Sequence, residues 1–221
     1  MQPTTKPSVR RVVAVLVALL AVAAAACTSP DGESEQAADE SVFAGRDMYD
    51  YTPKPEFTLT DTDGNPYDFA AETEGDVTYL YFGYTHCPDI CPVHMSQLAE
   101  VLSAPDAPAN ATVVMVTVDP ERDTPEVLRD FLDEFDTTFV GLTGTQEELA
   151  AAQEAAGVTV AVKEGDDPED YTMGHAGQVI AYAPNGLNYT QYPFGTRQSQ
   201  YAHDLPILAS LTEPDAEPVA S

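Results

Sequence analysis

The stretch Tyr81–Met95, YFGYTHCPDICPVHM, sets Cys87 and Cys91 four residues apart, each followed by proline, with His86 just before the pair and His94 just after it. A thiolate is a nucleophile, a redox partner and a soft metal ligand. The pair could therefore be a structural staple, a redox couple or two arms of a metal site. A bridge this short closes almost no loop and contributes little through chain entropy, so the staple is poorly placed. A redox couple commonly has two intervening residues, whereas Pro88, Asp89 and Ile90 make three here. That spacing still permits a disulfide, and it also lets two sulfurs spread around one ion. A metal would need a third ligand.

His86, His94, His175 and His203 are the available imidazoles. His86 adjoins Cys87, so its side chain is expected to point away from an ion held by that sulfur. His94 follows Cys91 by one helical turn; it could reach the same ion, or sit as a solvated helix residue. His203 is expected at a surface or capping position. His175 ends the polar segment Asp170–His175, where Gly174 could let the backbone turn the ring inward. Spacing alone cannot bring it to the cysteines. Asp119 could tune the site, serve as a weak ligand, or cap the turn before Pro120.

These side chains need strands and helices to hold them. Val77–Phe82 is a short apolar run rich in β-formers, as expected of a strand buried on both faces. It feeds the cysteine loop and then a helix over Pro92–Leu102, so Cys91 falls near a helix N-terminus, where free amides and the helix dipole favour a thiolate. Ala111–Val118 reads as a second central strand. Thr124 and Pro125 cap and open a helix running to Phe135. Phe57–Thr60 and Pro66–Phe69 flank Asp63-Gly64-Asn65 as a hairpin. A helix over Gln146–Ala156, a strand over Val158–Val162, a hairpin of Gln178–Ala183 with Tyr189–Phe194, and a helix over Gln198–Leu211 complete the pattern. The alternation predicts an α/β fold with a mixed central sheet flanked by helices and an N-terminal hairpin. In such a sheet the carboxyl end of a central strand is a preferred place for chemistry.

The N-terminus reads as a processing signal. Lys6, Arg10 and Arg11 precede the uncharged apolar run Val12–Ala26, whose 15 residues fall short of the ~20 needed to span a bilayer. Leu20–Cys27 resembles a bacterial lipobox, in which Cys27 would become the lipidated first residue; a plain secretory signal and an uncleaved anchor are the alternatives. The expected organisation is a signal over 1–26, an acidic tether over 27–50, the folded domain over 51–212 and a polar tail over 213–221. The chain would then sit on the extracytoplasmic face of the cell membrane, held by its lipid. There Cys87 and Cys91 are an isolated pair that can persist oxidised. The net charge is −28 for the whole chain, and more negative once the basic leader is gone. Such a charge excludes nucleic acid and bare anionic lipid as partners. It suits solubility or an acidic docking face.

YFGYTHCPDICP strongly resembles the signature of the Sco/SenC copper chaperones, proteins of thioredoxin-like fold tied to cytochrome c oxidase assembly. The similarity continues in Val116–Phe135 (VTVDPERDTPEVLRDFLDEF), Phe139–Thr145 (FVGLTGT) and Asp170–Gly186 (DYTMGHAGQVIAYAPNG). The resemblance implies copper ligands at Cys87, Cys91 and His175. It also implies a partner in cytochrome c oxidase subunit II, whose dinuclear copper site would receive the metal, with another copper donor and a thiol reductant as further partners. Thiolates suit Cu(I), and an imidazole also accommodates Cu(II); zinc accepts the same set. The alternative function is a thiol–disulfide oxidoreductase acting on the partner's cysteines, with Cys87 and Cys91 as the redox-active pair. A peroxidase is disfavoured, since Tyr84 stands where a peroxidatic loop has threonine. One departure matters: the family usually has Val-Asp before the histidine and a hydroxyl residue after it, where this chain has Met173-Gly174 and Ala176. The resemblance thus implies a looser hold on the imidazole.

Overall fold

A computed structural model describes residues 41–167 and 170–213. Eight strands form one mixed sheet in the order β1-β10-β9-β4-β5-β6-β2-β3. At its centre lie β4 (Val77–Gly83) and β5 (Ala111–Thr117), parallel and in register from Val77 opposite Ala111 to Gly83 opposite Thr117. Every residue of β4 is buried. The side chains on both faces therefore leave water, which explains why this run lacks the alternation of a one-sided strand. β6 (Val140–Thr143) continues the parallel set, and the hairpin of β2 (Thr58–Asp61) and β3 (Pro66–Asp68) closes that edge. On the other side, β9 (Val179–Tyr182) and β10 (Leu187–Tyr192) run antiparallel, followed by β1 (Arg46–Pro53).

The helices are α1 (Phe69–Glu72), α2 (Ile90–Leu102), α3 (Pro125–Asp133), α4 (Gln146–Ala155) and α5 (Gln198–Ser210). The α2 stripe Cys91, His94, Met95, Leu98 and Val101 is buried and has helical spacing. α2 lies beside α5. Thr124 caps α3 with Pro125 at its first position, and Thr145 with Glu148 forms a capping box on α4. Both starts follow from the sequence. Among the described residues no helix is long and apolar enough to cross a membrane.

Three expectations change. The acidic tether does not extend to Asp50, because Arg46–Pro53 is a strand and Phe43 is buried. The cause is Asp204, a buried carboxylate on α5 that accepts the amides of Ala44 (2.7 Å) and Gly45 (2.8 Å) and so draws this segment onto the domain. Strand structure falls on β7 (Val162–Glu164) instead of Val158–Val162, and it pairs with β8 (Thr172–Gly174), within the segment expected to be a loop. β7 and β8 form their own two-stranded sheet. Val140–Thr143 is a strand too short to have stood out. At the other end, Glu213 is tied to the domain, its carbonyl accepting from Asn185 Nδ2 (3.0 Å). The leader, Cys27, the tether through Glu40 and the tail from Pro214 lie outside the described residues.

Candidate metal centre

Cys87 sits in the loop leaving β4, and Cys91 is the second residue of α2. Gly83 ends the strand just below them. A Cβ there would meet the Tyr81 ring and lie 3.1 Å from Cys91 Sγ, so only glycine lets the backbone pass this close to the sulfur. Both thiols are free and buried. The loop is fastened by Asp123, whose fully buried carboxylate accepts from the Thr85 amide (3.0 Å), the Thr85 hydroxyl (2.6 Å) and the Thr117 hydroxyl (2.6 Å). The first two partners are two residues from Cys87, and the third ends β5. Asp123 therefore pins the cysteine loop to the neighbouring strand. Asp123 did not stand out in the sequence; it lies within the family-like stretch Val116–Phe135, just before the Thr124 cap.

His175 follows β8 directly. Its ligand nitrogen and the two sulfurs all lie within 4.8 Å of one another, the one such metal-capable group among the described residues. The ring is bracketed edge-on by Tyr84 (centroids 5.6 Å apart) and Tyr81 (6.1 Å). Nδ1 lies 3.0 Å from the carbonyl oxygen of Ala176. A carbonyl can only accept, so Nδ1 carries a proton, and Nε2 is the nitrogen left to face the sulfurs or an ion. This backbone bond orients the imidazole from the position where a hydroxyl side chain is missing. The space above Gly174 is filled by the Glu164 carboxylate of β7: a Cβ on Gly174 would run into it. A carboxylate thus stands beside the residue preceding the histidine, though it comes from the adjacent strand.

The two sulfurs are not equivalent. Cys87 is held well below the ordinary thiol range, first by a hydrogen bond from Cys91, against the effect of burial, and then by His175 and the amides of Asp89 and Cys91. Burial pushes the Cys91 thiol up, as does its role as donor to Cys87, while the Tyr81 hydroxyl (3.2 Å) and the Tyr84 amide work the other way. The metal-free pair is one thiolate at Cys87 and one proton on Cys91. An ion that binds both sulfurs must displace that proton.

The other candidates separate clearly. His86 is half exposed, bonded to the Thr85 hydroxyl (2.9 Å), and takes no part in the cluster. His203 bonds its neighbour Asp204. His94 is buried, contrary to the solvated position expected of it, and burial holds its pKa below the usual value. It is not a member of the ligand group. Asp119 is also buried and outside the group; it accepts from Tyr171 OH (2.7 Å) and Arg122 Nε. Arg122 in turn donates to the Tyr171 carbonyl (3.1 Å) and stacks on its ring (3.5 Å), with Lys163 Nζ also 3.7 Å from that ring's centroid. Asp119 thus acts on His175 only at a distance, by securing the arm that carries it.

Two thiol sulfurs and one imidazole form a soft three-donor set that suits copper(I) and is also acceptable to zinc. A thioredoxin-like α/β domain carrying such a set at the carboxyl end of its central strands defines a class of thiol-based metal-binding proteins. The chain matches the SCO1/SenC family model over residues 47–210, and it belongs to that family. The mouse protein SCO2 homolog, mitochondrial, is 34% identical over 149 residues, 66% of this chain and 57% of its own length. Among solved structures, Bradyrhizobium japonicum ScoI with copper bound is 31% identical, with a TM-score of 0.62, covering 70% of this chain and 98% of that one. Apo Sco1 from Thermus thermophilus is 28% identical with a TM-score of 0.67, covering 77% and 99%. The matched region spans about half to two thirds of the length of the first curated relatives.

Proposed function

We propose that this chain is a copper chaperone of the SCO1/SenC family that binds copper through Cys87, Cys91 and His175 and delivers it to the dinuclear copper site of cytochrome c oxidase subunit II. The observation that carries the reading is the convergence of three soft donors, from segments more than 80 residues apart in sequence, to within 4.8 Å. Copper is bound in the relative from B. japonicum, and the resemblance of the cysteine motif to oxidase-assembly proteins supplies the recipient. Delivery proceeds by ligand exchange, in which partner thiolates replace Cys87, Cys91 and His175 in turn. Lipidation at Cys27 holds the domain at the extracytoplasmic face of the membrane; replacing Cys27 by serine should move the protein to the soluble fraction. The central test is Cu(I) titration of the reduced protein against a chromophoric chelator. Cys87→Ala and His175→Ala should each weaken binding, and equal affinity in all three proteins would end the copper reading.

The unequal sulfurs favour a second activity at the same site, thiol–disulfide exchange. The Cys87 thiolate attacks a partner disulfide and forms a mixed disulfide, releasing one partner thiolate. Cys91 then gives up its proton and attacks Cys87 Sγ, which releases the second partner thiolate. The partner gains two electrons, and Cys87 and Cys91 become the disulfide. This activity should survive His175→Ala, whereas chaperone activity should not. A stopped-flow measurement of exchange with a disulfide peptide separates the two.

A further inference from the structure

His94 is 1% exposed, although it lies near the start of its helix, one turn beyond Cys91. Its Nε2 is 3.1 Å from the Gly177 carbonyl oxygen, and its Nδ1 is 2.8 Å from Tyr201 OH. The carbonyl can only accept, so Nε2 carries the proton. Nδ1 is then an acceptor, and the Tyr201 hydroxyl donates to it. One neutral ring with both nitrogens satisfied therefore ties three elements together: α2, which holds Cys91; α5, which holds Tyr201; and the segment after β8, which holds His175. The last connection is short. Gly177 is two residues beyond His175, and the intervening Ala176 carbonyl is the group that receives the His175 Nδ1–H. The same segment lies flush on the first turn of α2: a Cβ on Gly177 would come 2.9 Å from Ile90 Cδ1.

We propose that His94 is a positioning residue for the metal site, fixing the Ala176–Gly177 backbone so that the His175 imidazole stands over the two sulfurs. It never touches the metal. It sets the height and orientation of the third ligand through the Gly177 carbonyl, and Tyr201 keeps it in the tautomer that can donate there. The cysteine helix and the histidine arm, which share no main-sheet pairing, are thereby locked to one another at the site itself. The inference rests on the metal-binding reading for its consequence, though not for its geometry.

The test uses the reduced full-length domain with His94→Ala, His94→Gln and Tyr201→Phe, each also made with His175→Ala. Outer partners of metal-ligating histidines contribute about 10–100-fold in affinity. His94→Ala should weaken Cu(I) binding to that extent. His94→Gln restores an N–H at the Nε2 position and should recover most of the loss, and Tyr201→Phe should cost roughly two- to tenfold, the worth of one hydrogen bond. In the His175→Ala background all three changes should become silent, because a residue acting only through His175 has nothing left to act on. An equal loss in both backgrounds overturns the proposal and leaves His94 a general packing residue. A second readout needs no copper: imidazole nitrogen NMR of the metal-free protein should show His94 as the Nε2–H tautomer, and His94→Ala should broaden or split the His175 ring signals. Unchanged His175 signals also overturn it. If the unsubstituted protein bound no copper, the function would fail while the NMR comparison still decided the positioning role. If His94→Ala does not fold, Tyr201→Phe in the two backgrounds carries the same test.

Discussion

Replacing Tyr81 by phenylalanine removes one atom from the core of the site and should shift the redox balance of the cysteine pair in a calculable direction. The Tyr81 hydroxyl is buried and lies 3.2 Å from Cys91 Sγ. The Cys91 proton is engaged with Cys87, so the phenol is the donor and the reduced sulfur the acceptor. A disulfide sulfur is a poorer acceptor, so the bond favours the reduced pair. Its net worth is about 0.5–1.5 kcal/mol for a bond to a neutral partner. For a two-electron couple 30 mV corresponds to about 1.4 kcal/mol, so Tyr81→Phe should lower the reduction potential by roughly 10–30 mV. The ring stays and no buried donor is orphaned, so fold stability should fall by no more than about 1.5 kcal/mol. Equilibration in dithiothreitol redox buffers, followed by alkylation and mass analysis of the Cys87–Cys91 pair, measures the potential directly. A rise in potential, or no change within a few millivolts, would falsify the assignment of Tyr81 as donor to the reduced sulfur.

Cys87 should alkylate with iodoacetamide at a rate nearly flat from pH 8 to pH 5, because its depressed pKa keeps it a thiolate there; an ordinary thiol would slow about tenfold per pH unit, and the slope of rate against pH distinguishes them. Asp123→Asn leaves one acceptor oxygen for the three donors of Thr85 and Thr117, so at least one is orphaned, at a cost of about 1–3 kcal/mol in urea unfolding, with weaker Cu(I) binding as the loop loosens. Lys54, which donates to Thr73 and Thr78, has its pKa lowered to about 8, chiefly by burial. The unfolded chain then binds a proton that the folded one has released, so this group makes stability rise with pH from about 8 towards 10.5, on the order of 1–3 kcal/mol. In Lys54→Met that rise should be missing when urea midpoints at pH 7.5 and 9.5 are compared with the parent protein.

The cysteine half of the site was legible because its signals are local. An unbroken apolar run marks β4, proline marks the start of α2, and the two thiols lie between them. His175 was not legible from spacing; the resemblance supplied it, because the fold brings it to the sulfurs across a long stretch of chain. His94 was misplaced for a physical reason. In a helix over Pro92–Leu102 the apolar Val93 would be the natural inward residue, yet it is 46% exposed and the buried stripe is Cys91, His94, Met95 and Leu98. Taking Cys91 as the anchor of that stripe puts His94 at i+3 and Met95 at i+4, on the inner face. β7 and β8 were missed because two three-residue strands carry almost no periodicity, and Asp204's hold on the N-terminal segment is a contact across more than 150 residues.

The two-stranded arm of β7 and β8 has a consequence for how a bound ion could leave. Its pairing is separate from the eight-stranded sheet, so lifting His175 away from the sulfurs breaks none of the ladder that holds the domain together. What must give way is a set of contacts at the arm: the Gly177–His94 bond, the Tyr171 hydroxyl bond to Asp119, the Arg122 bond to the Tyr171 carbonyl, the Lys163–Glu121 ion pair and the cation–ring stack around Tyr171. Such an opening is a local event that costs less than global unfolding. The site is therefore a vice with one fixed jaw of sulfur and one jaw on a separate arm, and under the proposed function a recipient would open it while the domain stays folded.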